Sequence, residues 1–133
     1  MYAMRKELNQ YRQAGPLAEV AVASPHRLIQ MLFEGAVERI AVARGAMMHG
    51  NLQTKGEQLS KAINIIESLR AALDHDKGGE LAENLDALYS YMSRRLLEGN
   101  ARNETEALDE VSGLLRTIKS GWDEIPDRLG QQC

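Results

Sequence analysis

From Leu28 onward the apolar residues Ile29, Leu32, Phe33, Ala36, Val37, Ile40 and Ala43 recur three and four positions apart, which gathers them on one face of an α-helix. Ser24-Pro25 supplies the start. A serine hydroxyl accepts from an orphan amide of the first turn, and the proline after it has no amide to satisfy. His49-Gly50-Asn51 supplies the stop, because glycine tolerates the left-handed cap that ends many helices. The spacing predicts a first helix over residues 25–49.

The same periodicity returns three more times. Leu59, Ala62, Ile63, Ile66, Leu69, Ala72 and Leu73 form the stripe of a helix predicted over 52–76, closed by Lys77-Gly78-Gly79. Leu81, Leu85, Leu88, Tyr89, Met92 and Leu96 form that of a third over 80–98. Glu80, Glu83 and Asp86 lie early in it and Arg94 and Arg95 late, the order that complements the helix dipole. After Gly99-Asn100, the pair Asn103 and Glu106 has capping-box spacing and opens a fourth helix over 104–123, with Leu108, Val111, Leu114, Leu115, Ile118 and Trp122 inward and Pro126 beyond its end.

Four such segments joined by very short connections bury their stripes by packing as antiparallel neighbours. The expected fold is all-α: an antiparallel four-helix bundle over 24–126, preceded by an N-terminal arm and loop over 1–23 and followed by a tail over 127–133. Gly15-Pro16, with Val20 and Val22 after it, sets the first segment apart. Either a movable arm or a short helix fixed on the bundle fits that segment.

Composition narrows the function. The 133 residues suit one domain, and an aromatic share of 5% with only three prolines favours helix over sheet. A net charge of −3 gives no positive field to gather nucleic acid. The lone Cys133 permits no internal disulfide and reads as a frayed terminus, with a reactive or dimer-forming thiol as the alternative. No apolar run approaches the ~18 residues that span a bilayer, so a cytoplasmic chain without membrane insertion is expected.

Candidate chemistry is sparse. No Glu-x-x-His precedes His26, His49 or His75, and there is no His-Glu-x-x-His, haem-attachment or phosphate-loop motif. No catalytic residue, metal or cofactor is expected. His49 is a candidate phosphoryl carrier, although its position at a helix end beside a glycine suits capping better. His26 falls in a first turn, with a surface or local capping role, and His75 near a helix C-terminus. Arg5-Lys6 and Arg94-Arg95 read as solvated faces, and Met31, Met47 and Met48 as gap-filling core with an adaptable binding surface as the alternative.

Several motifs in order resemble the flagellar export chaperone FliS family. They are Tyr11, the run Ala23-Ser24-Pro25-His26-Arg27-Leu28-Ile29-Gln30-Met31-Leu32-Phe33-Glu34-Gly35-Ala36, then Lys61-Ala62-Ile63-Asn64-Ile65-Ile66, Gly78-Gly79-Glu80-Leu81-Ala82-Glu83-Asn84-Leu85, Leu88-Tyr89-Ser90-Tyr91-Met92, and Trp122 in the last helix. The chain departs from that pattern at Val22, where threonine is common, at Phe33, where tyrosine is common, and at Gly99, where alanine often precedes the asparagine. The resemblance implies a cytosolic, non-enzymatic chaperone. Its client would be the disordered C-terminal segment of flagellin, kept from premature polymerisation and delivered to the gate of the flagellar type III export apparatus. It also implies that the arm around Tyr11 covers an apolar groove until cargo displaces it. Ile63, Ile66, Leu69 and Leu73 on the second helix are the groove candidates, with a core position as the alternative for each. Two other readings remain open here: a phosphorelay carrier on His49, and a bundle that self-associates, as a homodimer when free of cargo.

Overall fold

The computed structural model describes residues 23–126. They form α1 (Pro25–Met48), α2 (Leu52–Ala71), α3 (His75–Arg102) and α4 (Thr105–Asp123). Linkers of two or three residues turn the chain back each time, and the helices neighbour one another in the cyclic order α1, α2, α3, α4, α1. The result is an all-α four-helix bundle, with no strand among the described residues.

Local chemistry sets the ends. Ser24 caps α1, its hydroxyl accepting from the Arg27 amide at 3.1 Å. At the other end Gly50 is left-handed (φ 72°), and the Asn51 and Gly50 amides donate to the Ala46 and Met47 carbonyls, a Schellman closure. Asn51 then caps α2 by accepting from Thr54. That helix ends at Ala71 rather than near 76, because Asp74 takes the next N-cap and accepts from the Lys77 amide. α3 therefore starts at His75. Its backbone leaves helical geometry at Gly79 (φ 52°, ψ −125°), immediately before the expected start at Glu80, and it runs past residue 98 to Arg102.

The expected capping box at Asn103 does not form. Asn103 is left-handed (φ 57°, ψ 45°) and ends α3, the N-cap of α4 is Glu104 without a side-chain cap, and the Asn103 side chain is already engaged. Its Oδ1 accepts from Lys55 Nζ at 3.0 Å, and the same ammonium donates to the Asn100 carbonyl at 3.0 Å. Lys55, 6% exposed, is the one buried charged residue among those described. It ties the start of α2 to the end of α3, where helix carbonyls lack intrahelical donors.

Phe33, Ile40, Leu59, Ile66, Met92, Leu96, Leu108, Val111 and Leu115 are fully enclosed, with Ala36, Ala43, Ala62 and Ala107 between them. Tyr89 shares this core, and burial pushes its phenol up to about 12. Each seam carries polar ties. Arg70 grips Asp86 between α2 and α3, holding that carboxyl below its usual range, and Arg39 donates to Gln58 between α1 and α2. Arg44 and Gln30 tie α1 to Asp109 and Asp123 of α4.

Candidate partner-binding site

The α3–α4 seam is the least intimate of the four and changes character along its length. At one end Gly99 meets α4 so closely that a Cβ there would lie 2.8 Å from the Ala107 Cβ and 3.0 Å from Leu108. One turn away Arg95 Nε donates to Glu110 at 2.8 Å, and the Tyr91 hydroxyl donates to the other oxygen of that carboxylate. These two donors hold the Glu110 carboxyl below its usual range, the tyrosine first. Arg95 also lies near Glu98 and Glu104.

Those contacts define which side of each helix faces the other. Seven-residue steps nearly preserve helical facing, so Leu88 and Leu81, one and two such steps before Arg95, lie on the α4-facing side of α3. Leu114, one step beyond Ala107, lies on the α3-facing side of α4, and Ile118 follows one turn later. Leu85, Leu88, Leu114 and Ile118 are half-buried and rest on the core. Toward the mouth Leu81 is 65% exposed and Ile125 49%. The seam thus carries a strip of partly exposed apolar side chains, a candidate groove closed at the Arg95–Glu110 end.

Trp122 and His26 stand at the open end. Their rings stack at 4.9 Å, and the indole Nε1 donates to the His26 carbonyl at 3.0 Å. The clamp fixes the first turn of α1, and with it the point where residues 1–22 join the bundle, against the last turn of α4. His26 accordingly has a packing role, which a first-turn position alone did not reveal. His49 is exposed and ends α1, its amide donating to the Gly45 carbonyl.

The residues expected to line a groove are placed differently from one another. Ile66 and Leu69 are core, at 0% and 3% exposure, and offer no face to a partner. Ile63 and Leu73 are half-buried against that core. Tyr11 and the rest of the expected arm lie outside the described residues. The groove residues on α3 and α4 all stood within the predicted stripes. The usable signal was their position on the flank of each stripe, in register with Arg95 and Ala107. Among the described residues no group of three or more His, Cys, Asp and Glu is placed to hold a metal ion. No described helix is long and apolar enough to cross a membrane.

Comparison with known proteins bears on what such a groove is for. Residues 7–129 match the family model described as flagellar protein FliS. The chain belongs to the FliS family. The flagellar secretion chaperone FliSB of Pseudomonas aeruginosa is 56% identical over 125 residues, covering 94% of this chain and 98% of that one. The flagellar secretion chaperone FliS of Salmonella typhimurium is 49% identical over 123 residues (92% and 91%), and that of Bacillus subtilis 35% over 105 residues (79% and 77%). This FliS-family chain therefore shares with its relatives nearly the whole bundle and not one isolated motif.

Proposed function

We propose that this chain is a cytoplasmic flagellar export chaperone that holds the disordered C-terminal segment of flagellin in the α3–α4 groove, keeps it from polymerising and carries it to the type III export gate. The observation that carries the reading is the apolar flank of Leu81, Leu85 and Leu88 on α3 and of Leu114 and Ile118 on α4, partly open to solvent along the edge of the closed core. An amphipathic segment that folds on binding lays its apolar face into such a groove. It buries the surface through which it would otherwise associate, and no bond need be made or broken. Ile63 and Leu73 are secondary contact positions on the adjoining face. The arm around Tyr11 covers the groove in the free chaperone and yields to cargo, which shields exposed apolar surface from self-association.

Calorimetry with a flagellin C-terminal peptide tests this. One-to-one binding with a negative heat-capacity change is expected, the mark of apolar burial. Leu88→Glu and Ile118→Glu should abolish it while circular dichroism stays helical. No heat at any temperature, or undiminished binding by both variants, would overturn the assignment. Truncation through Tyr11 should raise hydrophobic-dye binding without melting the bundle; unchanged dye binding and unchanged cargo affinity would retire the arm's covering role.

A further inference from the structure

A second concave feature lies on the other flank of α4, where it meets α1. There a notch of about 280 Å³ opens between Ile40 and Ala41 on one helix and Gly113 on the other. Its floor is small by choice of residue. A Cβ at Gly113 would meet no atom within 4 Å, so a side chain can start there without a clash.

Two guanidinium groups edge it. Arg44 is occupied, its Nε and Nη2 donating to the two carboxylate oxygens of Asp109 at 2.8 and 3.4 Å. Arg116 lines the same notch and makes no hydrogen bond or ion pair to another described residue. Two cations against one carboxylate leave a local positive excess on a chain whose net charge is −3.

We infer that the α1–α4 notch docks an acidic segment of a protein partner, one carboxylate pairing with Arg116 while a small apolar side chain rests on Ala41 and Gly113. A guanidinium presents its donors in a planar fork that matches a carboxylate, and charge-assisted bonds of this kind exceed neutral ones in strength. The Ala41 and Gly113 floor leaves room for a small apolar side chain beside that carboxylate. This site is independent of whatever the α3–α4 groove holds, since Arg116 and Gly113 lie on the opposite flank of α4 from Leu114.

The test uses the full chain and a short, blocked alanine–glutamate helical peptide, with its glutamine analogue as control, followed by amide chemical shifts. Saturable shifts at Ala41, Gly113 and Arg116 are expected with the glutamate peptide only. Arg116→Glu should weaken that binding about tenfold or more. Gly113→Leu should block it with Arg116 still in place and the thermal midpoint not lowered. Equal shifts with the glutamine analogue, shifts mapping elsewhere, or binding retained by both variants would overturn the inference. So would a doubling of mass by light scattering that Arg116→Glu abolishes, because the notch would then serve a second copy of this chain.

Discussion

The two ends of the α3–α4 seam are built from the same helices and do opposite work. At the Gly99 end the backbones approach until Ala107 and Leu108 leave no room for a Cβ, and Arg95, Tyr91 and Glu110 close over the contact. At the Leu81 end leucines of both helices are in place, yet they remain partly in water. The difference lies in side-chain size. Glycine and alanine at the closed end let the helices touch, whereas toward the other end the seam carries Leu88 and Leu114, each only partly buried. Close packing thus anchors one end of a seam whose other end keeps apolar surface in water.

The contrast should appear first in stability. Leu96, 0% exposed near the closed end, is expected to cost about 2–5 kcal/mol on truncation to alanine, because a cavity is left in a packed core. Leu81→Ala at the open end should change stability by less than about 0.5 kcal/mol, as surface substitutions do. Urea unfolding midpoints check both, and equal losses would mean that the open end is core after all. Next comes Gly99→Val, which forces branched carbons against Ala107 and the Glu104 carbonyl and should cost about 1–3 kcal/mol by overpacking. A Gly99→Val variant as stable as the parent would show that the seam shifts freely.

A smaller effect is expected at Lys55. Lys55→Met keeps the buried stem and removes the ammonium that holds Asn100 and Asn103, costing about 1 kcal/mol for the lost hydrogen bonds. Amide exchange at Asn103 and Glu104 should quicken while Val111 and Leu115 stay protected. Unchanged exchange would show that the left-handed turn at Asn103 stands without the lysine.

These expectations also mark what the sequence could convey. The stripes, the Ser24-Pro25 start and the Gly50 stop follow from periodicity and backbone chemistry within a few neighbouring residues. The core/groove distinction does not. Ile66 and Leu88 sit in stripes of the same spacing, and only the packing of all four helices leaves one enclosed and the other half-buried. Asn103 was ambiguous for a related reason: asparagine serves equally as an N-cap and as a left-handed residue ending a helix. A lysine 48 residues earlier in the chain chose between these roles. The His26–Trp122 clamp joins residues 96 apart and has no local signature at all.

The smallest expected effect concerns the polar closure itself. The Tyr91 hydroxyl and the Arg95 guanidinium hold Glu110 below its usual range in the folded chain, so folding favours the ionised carboxylate. Its contribution is complete above the ordinary glutamate value of 4.5 and is lost as pH falls through the depressed folded value. Glu110 is well exposed, and solvent screening keeps the effect small. Urea midpoints measured from neutral pH into the acid range should therefore fall less steeply for Glu110→Gln than for the parent, with the two curves parallel at neutral pH. Asp86 and Asp123, also held low by Arg70 and Lys119, predict the slope that remains. If Glu110→Gln leaves the acid slope unchanged, the closed end is held by the Gly99–Ala107 contact alone, and the Tyr91–Glu110–Arg95 ladder only covers it.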